Sequence, residues 1–125
     1  DLAEELQKQA DSSISTSLDP LLAQLAHFSS ASDLRDRITS LFKILDEEDT
    51  GAVSFEQMRT SLRKLPYEPK IYFTQDDFDL ITGDGALATN GWLSVEQFEQ
   101  IVRAQLKSYV QRSLTKAMVL QELDA

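Results

Sequence analysis

The chain has 125 residues, with 21 acidic against 12 basic side chains and a net charge of −9. That balance argues against a nucleic-acid partner, whose phosphates need a concentrated basic surface, and the length suits one domain with a single helical core. There is no cysteine, which excludes disulfides and thiolate metal sites and fits a cytoplasmic setting, and no run approaches the roughly 18 apolar residues of a membrane span.

The chain starts at Asp1 without a methionine, with a helix pattern already running and Leu2 and Leu6 on one side. We expect a piece of a larger protein, with no signal peptide. Asp11-Ser-Ser-Ile-Ser-Thr-Ser17 favours a loop through its hydroxyls. Asp19-Pro20 then predicts a helix start, Asp19 accepting from the first free amides and Pro20 at the first helical position. Leu21, Leu22, Leu25 and Phe28 give that helix an apolar face. Residues 1–33 thus read as an N-terminal helical lead-in and linker.

Asp33 is the expected cap of the next helix, over about 34–46, whose apolar face is Ile38, Leu41, Phe42 and Leu45. Ser54-x-x-Gln57 and Ser94-x-x-Gln97 read as capping boxes for two later helices. Met58, Leu62 and Leu65 form the first one's apolar face, and Pro66 ends it. Pro66 to Lys70 is a linker, Ile71, Tyr72 and Phe73 are expected in the core, and Thr74 with Asp77 caps a short helix over 75–82. The last helix runs from about 95. Val102, Leu106, Val110, Leu114 and Met118 repeat along it at i+4, while Arg103, Lys107, Arg112 and Lys116 recur with no acid between Gln100 and Gln121. Residues 106–125 therefore read as a basic amphipathic C-terminal helix appended to a body over 34–105.

A repeat organises that body. Gly51-Ala-Val-Ser-Phe-Glu-Gln-Met58 returns 40 positions on as Gly91-Trp-Leu-Ser-Val-Glu-Gln-Phe98, whereas the ends of the incoming helices, Leu45 and Ile81, are only 36 apart. The second loop is therefore four residues longer than the first. Helix, acidic loop of about twelve residues with glycine sixth and an apolar residue eighth (Val53), then helix, is the EF-hand plan. The expected fold is all-α: paired, degenerate EF-hands, a short antiparallel β ribbon between loops at 52–54 and 92–94, and flanking N-terminal and long C-terminal helices.

Calcium takes six to eight oxygens, which an EF loop draws from positions 1, 3, 5, 7, 9 and a bidentate Glu at 12. Here these are Asp46, Glu48, Thr50, Ala52 (carbonyl), Ser54 and Gln57, with Glu47 and Asp49 pointing away. Gln57 offers one neutral oxygen where the pattern has a two-oxygen carboxylate. Calcium is thus the one cofactor considered, at the first loop only and weakly, while the lengthened second loop is structural. His27 has no second His or Cys for a transition metal. Asp76-Asp77 oppose the positive end of a helix dipole, Gly83-Asp-Gly85 lacks the lysine of a phosphate loop, and nothing marks an enzyme. Trp92 is expected in the core or a groove.

Over roughly residues 34–120 the chain resembles the cytoplasmic C-terminal domain that follows the last pore helix in voltage-gated calcium and sodium channels. Leu41-Phe-Lys-Ile-Leu-Asp46 and Gly51-Ala-Val-Ser54 look like that family's first helix and loop. Leu62-Arg-Lys-Leu-Pro66 with a second proline looks like its basic helix end and linker. The resemblance implies a non-enzymatic regulatory domain at the inner face of a membrane, with the rest of a channel chain as partner. It also implies a further helix leading to a calmodulin-binding IQ motif, of which Val110-Gln111 with Lys116 is a poor echo. The expected partner-binding residues are Leu106, Val110, Leu114, Met118, Arg112 and Lys116, for calmodulin or a neighbouring subunit. Two other readings stay open: a freestanding calmodulin-like calcium sensor, and an EF-hand regulatory module of another large protein.

Overall fold

The computed structural model describes residues 15–27 and 31–124, with the side chains of residue 31 and of residues 120–124 excepted. The expected helix over 1–11, Phe28 and Leu120 as side chains lie outside that description. Five helices and two strands follow in order: α1 (Asp19–Leu25), α2 (Ala31–Leu45), β1 (Ala52–Ser54), α3 (Phe55–Lys64), α4 (Gln75–Ile81), β2 (Trp92–Ser94) and α5 (Val95–Asp124). The fold is mostly helical with one two-stranded antiparallel sheet. Among the described residues, no helix is long and apolar enough to cross a membrane.

Local chemistry sets most of the boundaries. Ser54 and Thr74 both close reciprocal capping boxes, with Gln57 and Asp77 three residues on, and α3 and α4 start where those boxes place them. Ser94 does the same for α5, its amide donating to Gln97 Oε1 at 2.9 Å. At the other end of α3, Leu65 turns to extended backbone ahead of Pro66, whose ring would clash with a continuing helix.

Two helix starts differ from expectation. α2 begins at Ala31 rather than 34, which puts Asp33 inside the first turn, where its charge favours the dipole's positive end. In α1, Leu18 is the cap and no side chain caps it. The Asp19 carboxylate instead takes both arms of Arg112, at 3.1 Å each. A guanidinium offers a planar, charge-assisted pair of bonds that two backbone amides do not match.

One hydrophobic core joins every element. Leu21, Leu22 and Leu25 of α1, Ile38, Phe42 and Leu45 of α2, Met58 and Leu62 of α3, Phe78 and Ile81 of α4, and Phe98, Ile101 and Val102 of α5 are all buried in it. Each such side chain contributes roughly 1.5–3 kcal/mol of transfer free energy. Phe42 of α2 meets Phe98 of α5 with centroids 5.6 Å apart, while Phe55, Phe73 and Phe78 form a second aromatic group at 5.8–6.4 Å. The 71–73 segment alternates: Ile71 and Phe73 are buried but Tyr72 is 60 % exposed, so it is not in the core. Extended backbone points successive side chains to opposite faces, and Tyr72 goes out, where Arg63 lies 4.9 Å over its ring.

The lead-in is fastened at two points. Ser15 Oγ donates to Asp77 Oδ1 at 3.0 Å. Burial alone would raise the Asp77 carboxyl, but hydrogen bonds from the Thr74 amide and hydroxyl and from Ser15 and Ser17 outweigh it and hold the group below its ordinary value. The second point is Asp19–Arg112. Arg112 also lies 5.7 Å over the Tyr109 ring one turn back on α5, a stacking that accompanies a buried Nε without a hydrogen-bond partner among the described residues.

Arg112→Ala is expected to lower stability by about 1–2 kcal/mol, the range for a part-buried bidentate pair. A thermal melt alongside Asp19→Ala and the double variant checks it. The double variant should lose little more than either single one, because both remove the same interaction.

Candidate functional site

The first loop leaves α2 at Asp46, whose amide still donates to the Phe42 carbonyl at 2.8 Å. It turns through Asp49 at φ +54° and Gly51 at φ +84°. At Gly51 a side chain would be strained by that left-handed backbone although the space around it is open. This turn aims two amides inward. Asp46 Oδ1 accepts from the Thr50 amide at 3.1 Å and Asp46 Oδ2 from the Gly51 amide at 2.9 Å. Thr50 Oγ1 lies 3.2 Å from Asp46 Oδ1 and 3.0 Å from the Ala52 carbonyl oxygen, one hydroxyl proton serving either acceptor. Asp46 itself is only 7 % exposed.

Of the six expected ligands, the loop thus brings Asp46, Thr50 and Ala52 into one cluster, and that cluster is closed by its own hydrogen bonds. Gln57 points elsewhere. Its Oε1 accepts from the Ser54 amide at 3.0 Å, and its own amide donates to Ser54 Oγ at 3.4 Å. The residues at positions 9 and 12 are therefore spent on starting α3. Glu48 stands exposed beside them. A cation entering here must displace the amides on Asp46 and draw Gln57 off the Ser54 amide, gaining one neutral oxygen in return. Among the described residues no group of three or more His, Cys, Asp or Glu side chains converges as a metal-holding cluster.

The second loop has a different construction. Thr89 and Trp92 exchange backbone bonds of 2.8 and 3.0 Å around Asn90 and Gly91, both at positive φ (+53° and +83°). That is a type I′ hairpin turn, for which Asn-Gly is the favoured pair, so the dipeptide is a signal in the sequence for this turn. The additional residues are taken up before it: the buried Thr82 receives the Gly85 amide on its hydroxyl at 3.1 Å and the Leu87 amide on its carbonyl at 2.9 Å. Gln97 Nε2 reaches back to Thr89 Oγ1 at 3.0 Å. No acidic side chain is drawn into these bonds.

The expected partner face divides along α5. Leu106 packs partly buried on the core. Val110, Leu114 and Met118 are 45 %, 61 % and 58 % exposed, and Lys116 is exposed. Arg112 is committed to Asp19. Leu106 and Val110 also edge a shallow groove of about 310 Å³, with Leu34 of α2 opposite and Arg103 and Lys107 at its rim.

A larger groove, about 530 Å³, lies where α1, α2 and the α3–α4 linker meet. Leu21, Leu25, Leu41, Ile44, Leu65 and Tyr67 line it. Helical periodicity did not single it out because Ile44 lies off the buried stripe of α2. Burial raises the Tyr67 hydroxyl there, with Arg37 opposing the shift. His27 sits at the rim, exposed, with no second imidazole in the chain. Trp92 is 44 % exposed on the outer face of β2, so it is not in the core.

No protein-family model, no curated protein and no solved structure matches this chain.

The Asp46 carboxyl tests the closed loop. Desolvation would raise its pKa, but the bonds from Gly51 and Thr50 outweigh it and the group lies below its ordinary value. Its contribution to stability is therefore present above the unfolded value of about 3.9 and is lost as pH falls through the folded value. Urea midpoints should fall between about pH 6 and about pH 3 more steeply in the wild type than in Asp46→Ala.

Proposed function

We propose that this chain is a non-enzymatic regulatory module built on a pair of degenerate EF-hands, cytoplasmic and belonging to a voltage-gated calcium or sodium channel. On this reading it works through protein contacts and needs no calcium to hold its shape. The observation that carries the calcium half is the double use of Gln57: the residue that should close the coordination sphere is a neutral amide, and its oxygen already caps α3. The near twofold pairing of the two loops through β1 and β2 supports the paired plan. The channel half rests on the resemblance of residues 41–46, 51–54 and 62–66 and on the basic, apolar end of α5.

The freestanding calcium sensor is less well supported. A sensor exchanges a closed state for an open one on filling its loops, and its coordination depends on the carboxylate that Gln57 and Gln97 both lack.

Two measurements test this reading. Thermal melts in excess EGTA and in excess calcium should superpose, with the helical signal intact in both, and a chain disordered in EGTA would refute it. Calorimetry on Gln57→Glu should show calcium affinity at least about tenfold above wild type, since a bidentate carboxylate then replaces one neutral oxygen. An unchanged affinity would place the fault in the loop backbone instead. For the channel half, the gene should encode an apolar run of about 20 residues shortly before Asp1.

A further inference from the structure

We propose that the groove between α1, α2 and the α3–α4 linker is a binding site for a small anionic amphiphile, an aliphatic or aromatic carboxylate whose apolar body lies on Leu25, Leu41, Ile44 and Leu65 and whose charged head meets Arg37 and the Tyr67 hydroxyl. At about 530 Å³ the groove has the volume of a small-molecule site. Its floor is apolar and already packed, with Leu21, Leu25 and Leu41 buried, while Ile44 on the wall is left 53 % exposed. An apolar body laid in the groove takes Ile44 and the half-buried Leu65 out of water.

Charge selects the head group. The chain carries a net −9, yet among the described residues the groove is lined by Arg37 and His27 and by no acid. That lining attracts an anion and disfavours a cation. Arg37 also lies near enough to Tyr67 for its charge to act on the phenol. Burial raises the Tyr67 hydroxyl above its ordinary value and outweighs the opposing pull of Arg37, so the group is protonated at neutral pH and can donate. A carboxylate accepts from a guanidinium and a phenol together, through charge-assisted bonds. Along α2, Arg37 and Ile44 are two helical turns apart, about 10 Å, which separates the place for a head from the place for a tail. A single guanidinium beside a single phenol suits one carboxylate. A docked acidic helix spreads several carboxylates over its length, and beyond Arg37 the lining offers them only His27 at the rim. The inference is independent of calcium and of the channel reading.

Nitrogen-15 spectra of the full 125-residue chain, titrated with octanoate below its micellar concentration, test the site. Saturable shifts are expected at the amides of residues 37–44 and 65–67. Octylammonium should bind at least about tenfold more weakly, the difference that one hydrogen bond to a charged group makes. Arg37→Gln should remove that preference, and Tyr67→Phe should weaken octanoate while keeping part of it. Ile44→Glu, at an exposed position, should abolish octanoate binding, and the rest of each spectrum reports whether the variant is folded. Equal affinity for the two amphiphiles overturns the proposal, as do shifts centred on residues 110–118 of α5 and a titration that does not saturate. An acidic amphipathic helical peptide that reproduces the shifts and displaces octanoate at lower concentration also overturns it, because a protein segment is then the better occupant.

Discussion

Three pairs of residues in the β1–β2 ladder hold the whole arrangement in register: Ala52 opposite Ser94, Val53 opposite Leu93 and Ser54 opposite Trp92. Val53 and Leu93 are both fully buried. A slip of one residue would send both to the solvent face and bring Ser54 and Ser94 inward, so the core enforces the pairing. Each strand runs straight into a helix, β1 into α3 and β2 into α5. The ladder therefore fixes the relative placement of both outgoing helices, and α2 completes the core by setting Phe42 on Phe98.

The two loops meet that requirement at different structural cost. The first uses a charge: Asp46 gathers the Thr50 and Gly51 amides and so closes the turn. The second spends length, gathering its amides on Thr82 and closing with Asn90-Gly91. Both end at a serine whose box partner is glutamine. That residue gives the helix start everything it needs, namely one acceptor for the serine amide, and supplies a cation with half of what a glutamate gives. The residues that make these loops self-sufficient are thus the same ones that weaken them as cation sites.

α5 belongs to the core for its first turns and to the surface after that. Phe98, Ile101 and Val102 are buried, Leu106 and Tyr109 are partly so, and among the described side chains from Gln111 to Val119 only Arg112 turns back to the body. The change follows from geometry: a 30-residue helix is about 45 Å long, more than a body of this size can cover. Arg112, gripping Asp19 of α1, is therefore where the packed half of α5 ends.

What the sequence determined by itself is what neighbours along the chain decide. The boxes at Ser54, Thr74 and Ser94 and the stop before Pro66 rest on interactions within a few residues, while the ribbon and the four-residue difference between loops showed in the repeat, and each was legible in advance. The apolar faces of α1 to α3 were legible for the same reason, because a helix repeats its environment every turn. Tertiary structure alone decided the fate of groups with several local options. Asp19 had the form of a cap and found Arg112, 93 positions away, since a guanidinium brought alongside by α5 outcompetes the amides of its own turn. Tyr72 and Trp92 are as apolar in composition as their buried neighbours, yet lie outside because an extended chain alternates its faces and the core had already taken Phe73 and Leu93. Asp46 had the form of a ligand, and the closing of the loop around it made it an acceptor for the backbone.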